Sequence, residues 1–167
     1  MYDDLIQQAS LAYSVPAAWI KAVIQTESSW DAKAYRAEPQ IQDGSYGLMQ
    51  LLYKTAQGLG YNGAPNGLYD PKVNIDLGSK LLGQLRQRYG DDFRNIYSAY
   101  NSGNSNAWTT NSTVAAHVAR AVAALETYIM EASQQVTATT GASGSTQASL
   151  AGLLALVLLW AWTGKKR

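Results

Sequence analysis

The protein has 167 residues, of which 47% are hydrophobic and 15% are charged. This length and composition suit one small globular domain with an additional segment. The sequence contains no Cys, which excludes a disulfide framework, a thiolate nucleophile and a cysteine-bound metal. The single histidine, His117, excludes a metal site built from several histidines, and we expect neither a metal nor another cofactor.

The formal net charge of +1 is unevenly distributed along the chain. Residues 1–131 contain 10 basic and 12 acidic side chains, and residues 132–164 contain no charge. The last three residues, 165–167, are all basic. Domains that bind nucleic acid usually carry a basic surface, so the slightly acidic N-terminal part makes a nucleic acid partner unexpected.

The hydrophobic pattern predicts a mainly helical domain over residues 1–131, with a small irregular or β region. The polar, turn-rich stretch 31–47 should be irregular with short strands, and the stretch 60–71, rich in Gly and Pro, should be a loop. Helices are predicted from Asp3 to about Ser14, from Pro16 to about Ser28, from Leu48 to Gly58, and over residues 72–89, 92–102 and 112–131.

The C-terminal part is predicted to consist of three segments. Residues 132–147 are mostly Ser, Thr, Gly, Ala and Gln, a composition that indicates a flexible linker. Residues 148–164 are uncharged and would form about 25 Å of helix, the short end of a membrane span. Trp160 and Trp162 are typical of the membrane interface, and the basic tail 165–167 should stay on the cytoplasmic side.

The N-terminus lacks the basic and apolar regions of a signal peptide, so we expect the membrane anchor to be C-terminal. The alternative for residues 148–164 is a buried helix, but the run has no polar face. The sequence therefore predicts a single-pass membrane protein.

A carboxylate, Glu27, continues the apolar stripe of the second predicted helix. Ile20, Val23 and Ile24 precede it at helical spacing on the same face. A charge that faces the core usually has a partner or a function. Because desolvation raises the pKa of a carboxyl group, Glu27 is suited to act as a general acid near neutral pH. The alternative is a buried glutamate paired with an arginine.

Four sequence motifs in order carry a resemblance to lytic transglycosylases of the soluble-lytic-transglycosylase and goose-type-lysozyme-like family. The resemblance covers roughly residues 5–130 and implies an α+β lysozyme-like fold. The motifs are AVIQTESSW at residues 22–30, GLMQ at residues 47–50, Asp70-Pro71 followed by Asn74-Ile75, and AYNSG at residues 99–103.

The resemblance implies cleavage of the β-1,4 bond between MurNAc and GlcNAc in peptidoglycan. One glutamate acts in this family as acid and then as base, while the 6-hydroxyl of the sugar closes a 1,6-anhydro ring. Glu27 would be this catalytic residue. The implied substrate-binding residues are Ser28 beside it, Met49 and Gln50 on the groove floor, Tyr100 hydrogen-bonding near Glu27, and Asn101 on the glycan.

Two of these assignments have alternatives, and two further residues, Asp43 and His117, are possible site residues. Met49 could simply pack in the core, and Tyr100 could be a core aromatic whose hydroxyl reaches a backbone group. Asp43 could activate water for hydrolysis, as an acid near this turn does in goose-type enzymes, or could be a turn residue. His117 stands where many members have a tyrosine, and could replace it as a hydrogen-bonding group or be exposed.

The expected partners are peptidoglycan glycan strands and, through the C-terminal helix, a membrane. A lytic domain on a C-terminal anchor resembles the wall-opening enzymes of bacteriophages with an internal membrane, which implies a virion membrane and a role in entry. The alternative is the bacterial inner membrane facing the periplasm, beside proteins of a secretion complex. A non-catalytic peptidoglycan-binding protein is a further alternative.

Overall fold

A computed structural model describes residues 2–140 of the protein. The chain divides into two units, residues 1–125 and residues 126–167. Within the described range, six α-helices, three short 3-10 helices and one small sheet account for most residues, which confirms the mainly helical prediction. The helices are α1 (Asp3–Tyr13), α2 (Ala17–Ser28), α3 (Tyr53–Gly58), α4 (Pro71–Tyr89), α5 (Phe93–Ser102) and α6 (Ser112–Thr140), and the strands are β1 (Tyr35–Glu38), β2 (Asp43–Tyr46) and β3 (Leu51–Leu52).

The core of the first unit surrounds α4, which packs against α1 and α5. Asp70 accepts a hydrogen bond from the backbone N–H of Lys72, and Pro71 occupies the first turn, so the sequence Asp-Pro starts this helix. The α2 stripe is fully buried, as its spacing predicts. The fully buried aliphatic side chains include Ile6, Ile20, Ile24, Leu48, Leu68, Ile75, Leu82 and Ile96.

The three strands form an antiparallel sheet in the order β1-β2-β3. Tyr35 pairs with Tyr46 and Arg36 pairs with Ser45. Because successive side chains of a strand point to opposite faces, the tyrosine pair and the Arg36–Ser45 pair lie on opposite faces of the sheet. The short strands expected within residues 31–47 are therefore present, and they place Arg36 on the face that holds Ser45.

Residues 47–50 form a turn, although the sequence predicted a helix from Leu48 to Gly58. Gly47 and Gln50 both have left-handed backbone conformations, with φ of 71° and 45°. A Cβ on Gly47 would lie 2.5 Å from the Leu68 carbonyl oxygen, so this position requires glycine. The turn leads into β3 and delays the start of the helix to Tyr53, which corrects the prediction.

The buried side chain of Asn74 holds this turn against α4. Its Nδ2 donates to the carbonyl oxygens of Tyr46 and Leu68, both at 2.8 Å, and its Oδ1 accepts from the Met49 backbone N–H at 2.8 Å. Asn74 is 0% exposed, so these bonds are shielded from water. One amide side chain therefore satisfies three backbone groups from two separate segments.

Helix α6 continues to Thr140, so residues 132–140 are helical where the sequence predicted a linker. A helix already formed extends at low cost, because each added residue gains a backbone hydrogen bond. The hydroxyls of Ser133 and Thr137 donate to backbone carbonyls of their own helix. Most side chains of residues 132–138 are exposed, so exposure did not prevent a helix here.

The remaining C-terminal predictions fall outside the described residues. These are the rest of the linker to residue 147, the membrane helix at 148–164 and the basic tail at 165–167. Between residues 2 and 140, no helix combines the length and apolar character needed to cross a bilayer.

We predict that Asn74→Ala lowers the free energy of unfolding by about 3 kcal/mol, because buried backbone groups would lose their partners. Urea unfolding at neutral pH measures this loss. Asn66→Ala is the matched control, since Asn66 is exposed, and it should change stability by less than about 0.5 kcal/mol. Equal, small effects of both substitutions would contradict a structural role for Asn74.

Candidate active site

Glu27 lies in the last turn of α2, directly after the buried stripe. Val23 and Ile24 are 0% exposed, and Glu27 is half-buried on the same side of the helix. The helix ends at Ser28, and Ser29 follows in a left-handed conformation with φ of 51°. The carboxyl group of Glu27 therefore lies at the end of the helix, partly buried against the core and partly accessible to solvent.

Glu27 accepts a hydrogen bond at Oε1 from the hydroxyl of Tyr97, at 2.7 Å. Burial raises the pKa of Glu27 above its ordinary value, and this effect exceeds the lowering caused by the Tyr97 hydrogen bond and by the charges of Arg36 and Arg120. Oε2 has no hydrogen-bond partner between residues 2 and 140. The carboxyl proton can therefore reside on Oε2, facing away from Tyr97.

Tyr97 was not among the residues that the sequence predicted for the site. It is fully buried, and burial together with the neighbouring Glu27 raises the pKa of its phenol, so the hydroxyl stays protonated and donates. Tyr97 lies three residues before Tyr100, on the same face of α5, and their rings stack with centroids 6.3 Å apart. This spacing was visible in the sequence, but the family motif begins two residues after Tyr97.

Tyr100 donates its hydroxyl to the backbone carbonyl of Met49, at 2.7 Å, and not to Glu27. It remains close to the acid, because Glu27 is the second cause, after burial, of its raised pKa. The expectation that Tyr100 would provide the hydrogen bond near Glu27 is thus corrected: Tyr97 provides it. Tyr100 instead connects α5 to the turn at residues 47–50.

Met49 is a core residue in this structure. Its side chain is 0% exposed and packs on Gly78 of α4, where an added Cβ would come within 2.4 Å of the Met49 sulfur. This favours the packing alternative over a side chain on the groove floor. Gln50 is half-buried, and its Nε2 donates to the carbonyl oxygens of Ala34 and Gly47, both at 3.1 Å. Gln50 therefore fixes the turn to the segment before β1.

The side chain of Ser28 has a hydrogen-bond partner, whereas that of Asn101 has none among the described residues. The hydroxyl of Ser28 donates to the carbonyl of Ile24 within α2, at 3.1 Å, so it is not oriented towards Glu27 by a hydrogen bond. Asn101 lies in the last turns of α5 and is half-buried. In the part of the chain that the structure describes, no side-chain hydrogen bond involves Asn101, which leaves its amide available to a ligand.

Asp43 binds the start of α3. Its carboxylate accepts from the backbone N–H groups of Gly44, Tyr53 and Lys54, at 2.8, 3.2 and 3.0 Å. Two of these N–H groups belong to the first turn of α3, where an anionic acceptor is favourable. This arrangement supports the structural alternative for Asp43 and occupies both carboxylate oxygens.

His117 lies in the first half of α6 with two arginines nearby. Burial lowers the pKa of its imidazole, and the charges of Arg120 and Arg36 lower it further. The same two arginines act on Glu27, so His117 and the acid share an electrostatic environment. His117 is half-buried, and its Nδ1 is buried without a hydrogen-bond partner among residues 2–140. A role for His117 in the site stays a prediction.

We predict that Glu27→Gln makes the protein more stable at pH 7. Native Glu27 keeps its proton at pH values where the unfolded chain has lost it, so stability falls as pH rises from the ordinary carboxyl pKa towards the raised native value. A neutral glutamine removes this loss. Urea unfolding should show a stabilised variant at pH 7, with the advantage shrinking near pH 3.5.

The exposed Glu126→Gln provides the matched control for this pH dependence. It removes the same charge without removing a desolvated carboxyl group, so it should leave the pH dependence of unfolding nearly unchanged. If Glu27→Gln is destabilising at pH 7, or if its effect is the same at both pH values, Glu27 is not held protonated by burial.

Comparison with protein families gives a match to the Transglycosylase SLT domain over residues 4–122. The chain is 34% identical over 116 residues to the membrane-bound lytic murein transglycosylase C of Shigella sonnei, covering 61% of this chain and 31% of that protein. It is 29% identical over 109 residues to the soluble lytic murein transglycosylase of Escherichia coli K12, covering 61% and 16%. The chain thus spans less than a third of the length of these relatives.

Solved structures show the same fold. An inactive mutant of the lytic transglycosylase Slt from Pseudomonas aeruginosa superposes with a TM-score of 0.69 at 20% identity, over 78% of this chain and 24% of that one. The 70 kDa soluble lytic transglycosylase from Escherichia coli gives a TM-score of 0.65 at 25% identity, with the same coverage. Since the family match includes the acid, the turn and all helices up to the start of α6, the protein belongs to the Transglycosylase SLT domain family.

Proposed function

We propose that the protein is a peptidoglycan lytic transglycosylase in which Glu27 is the only catalytic carboxyl group. The observation that carries this proposal is the half-buried Glu27 with its raised pKa, bound at Oε1 by the hydroxyl of Tyr97. A glycosidic oxygen leaves readily only if it is protonated as its bond to carbon breaks. A carboxyl group that retains its proton near neutral pH can supply that proton.

The reaction begins with proton transfer from Oε2 of Glu27 to the oxygen that links MurNAc to GlcNAc. The bond from the MurNAc C1 carbon to this oxygen breaks, and GlcNAc leaves with a new hydroxyl group. Glu27, now a carboxylate, takes the proton from the 6-hydroxyl of the same MurNAc, and the 6-oxygen bonds to C1. The product is a 1,6-anhydroMurNAc end, and Glu27 is again protonated.

Tyr97 stabilises the intermediate state in which Glu27 is charged. Its hydroxyl donates to Oε1 throughout, and a hydrogen bond to a charged oxygen is stronger than one to a neutral oxygen. Arg36 and Arg120 also favour the carboxylate. Burial raises the pKa of Glu27, whereas Tyr97, Arg36 and Arg120 lower it. These opposite effects suit a residue that must first donate a proton and then accept one.

The hydrogen bonds of Asp43 and Glu38 favour ring closure over hydrolysis. Inverting hydrolysis needs a second carboxylate that activates water. Asp43 accepts hydrogen bonds from three backbone N–H groups, two of them in the first turn of α3. Glu38 accepts from the Arg36 guanidinium at 2.6 Å. Both acids already have structural partners, so the 6-hydroxyl of the substrate is the favoured nucleophile.

One solved relative supports an essential glutamate. The Pseudomonas aeruginosa structure is described as an inactive mutant in which one glutamate is replaced by glutamine. The curated relatives are named as lytic murein transglycosylases. For this chain, which covers only part of those proteins, Glu27 is the residue whose surroundings fit that role.

We also propose that residues 148–164 anchor the enzyme in a membrane. The support is the uncharged 17-residue run with interfacial tryptophans and a basic tail, together with a relative that is named as membrane-bound. A virion membrane, with wall opening during phage entry, fits a lytic domain on such an anchor. The bacterial inner membrane is the alternative location.

We predict that the full-length chain digests purified peptidoglycan to fragments with 1,6-anhydroMurNAc ends, identified by mass spectrometry. Glu27→Gln should reduce the rate by about 10³-fold, because general acid and base catalysis by one group is typically of this size. Asp43→Asn is the matched control. It should retain anhydro products, although weaker capping of α3 should lower its thermal stability.

Two results would contradict the proposed chemistry. Reducing ends that disappear in Asp43→Asn would show that water is the nucleophile and that Asp43 activates it. Binding to peptidoglycan without any cleavage by the native chain would assign the protein to non-catalytic glycan binding.

A further inference from the structure

Three tyrosine rings lie in contact at the β1–β2 pair. Tyr35 and Tyr46 are paired across the two strands, and their ring centroids are 5.1 Å apart. Tyr69, at the end of the 3-10 helix Pro65–Tyr69, meets the Tyr46 ring in a T-shaped arrangement with centroids 5.5 Å apart. Tyr46 is thus the ring that contacts both of the others. We call Tyr35, Tyr46 and Tyr69 the tyrosine platform.

Gly44 provides the space in which two of these rings lie. Gly44 and Tyr46 are two residues apart in β2, so they share a face of the sheet with Tyr35. A Cβ on Gly44 would lie 2.7 Å from Cε2 of Tyr35 and 3.1 Å from the hydroxyl oxygens of both tyrosines. The two hydroxyl groups therefore come together over a residue that has no side chain.

Hydrogen bonds fix the backbone beneath the platform. Asn74, which is 0% exposed, donates to the carbonyl oxygens of Tyr46 and of the residue that precedes Tyr69, both at 2.8 Å. The carbonyl oxygen of the residue before Tyr35 accepts from the N–H of Gly47, at 2.8 Å. The three tyrosines are therefore attached to backbone that is bonded to α4 or to the turn at residues 47–50.

Tyr35 is the member of the platform with the most accessible ring. It is 54% exposed, whereas Tyr46 and Tyr69 are half-buried. The ammonium of Lys33 lies 5.4 Å from the centroid of the Tyr69 ring, so a cation already covers that ring. Tyr35 thus offers an aromatic surface to solvent while its neighbours hold the ring in place.

The segment between the acid and the platform is short and consists of two turns. The N–H of Asp31 donates to the carbonyl of Ser28 at 3.1 Å, and the N–H of Ala34 donates to the carbonyl of Asp31 at 3.2 Å. Each turn spans less than about 7 Å between its outer Cα atoms, so the Cα atoms of Glu27 and Tyr35 are at most about 22 Å apart. An extended glycan strand covers such a distance with a few sugars.

We propose that the tyrosine platform binds a sugar ring of the peptidoglycan strand, outside the pair of sugars whose bond is cleaved, with Tyr35 as the stacking residue. The inference rests on the proposed function. In β-1,4-linked N-acetylhexosamines the ring substituents are equatorial, so the two faces of each ring expose C–H groups. The electron-rich face of an aromatic ring attracts such groups, and a phenol hydroxyl can form hydrogen bonds at the edge of the sugar.

The chemistry of the platform favours a sugar over an apolar protein surface. All three rings are tyrosines, and each brings a hydroxyl group that needs a hydrogen-bond partner once water is displaced. A sugar ring combines apolar faces with hydroxyl and acetamido groups at its edge, so it can satisfy both parts of a tyrosine side chain. An apolar protein surface would leave the hydroxyl groups unpaired.

The first test measures the affinity of the full-length Glu27→Gln chain for a soluble hexamer of β-1,4-linked GlcNAc by calorimetry. Adding Tyr35→Ala should weaken binding about fivefold, the size expected for one aromatic contact, and Tyr35→Phe should weaken it less than about twofold. Tyr89→Ala is the matched control and should leave the affinity unchanged. Tyr89 is also a half-buried tyrosine, but about 27 Å of α4 separates it from the helix start next to Tyr69.

A second measurement observes the platform in the native sequence. In the full-length protein with isotope-labelled tyrosine, the NMR signals of the Tyr35 ring should shift on addition of the hexamer, and those of Tyr89 should not. The spectrum of Tyr35→Phe assigns the Tyr35 signals. This readout does not depend on whether Tyr35→Ala folds.

Three results would overturn the proposal. They are Tyr35 ring signals that do not move at saturating hexamer, equal losses of affinity in Tyr35→Ala and Tyr89→Ala, and a loss in Tyr35→Phe as large as that in Tyr35→Ala. None of these results depends on cleavage. An active transglycosylase whose Tyr35 ring does not respond to the hexamer contradicts only this inference, whereas a responding ring in a chain that cleaves nothing contradicts only the catalytic proposal.

Discussion

The hydrogen bond from Tyr97 to Glu27 joins the two helices on which the site depends. Glu27 ends α2 and Tyr97 lies inside α5, so the bond fixes the acid at the edge of the core. It also decides which oxygen is available, because Oε1 is occupied by Tyr97 and Oε2 has no hydrogen-bond partner among residues 2–140. Burial raises the pKa of this carboxyl group, and the Tyr97 hydrogen bond and the charges of Arg36 and Arg120 partly offset that rise.

The turn at residues 47–50 is the second element of the site, and it acts through backbone groups. Asn74 holds the Met49 N–H, and Tyr100 donates to the Met49 carbonyl. The turn is therefore fixed to α4 and α5 at the same residue, while Gln50 fixes it to the segment before β1. In this structure, the residues of the GLMQ motif serve to fix the turn to α4, α5 and the segment before β1.

The sequence predicted the parts of the fold that depend on periodicity and on start signals. The buried stripe before Glu27 and the Asp70-Pro71 helix start are examples. It could not identify partners that are distant in sequence. It missed the bond from Tyr97, and it left open whether Asp43 is structural, as its bonds to α3 indicate, and whether Met49 packs in the core, as it does on α4. The helix over residues 132–140 was missed because composition indicates burial better than it indicates backbone conformation.

The most direct test of this account is the pKa of Glu27 itself, measured by carbon NMR of its side-chain carboxyl group during a pH titration of the full-length protein. The account predicts a midpoint above the ordinary range of glutamate, and a still higher midpoint in Tyr97→Phe, which lacks the hydrogen bond that favours the charged form. A midpoint within or below the ordinary range would show that Glu27 is ionised at neutral pH and would contradict its role as the proton donor.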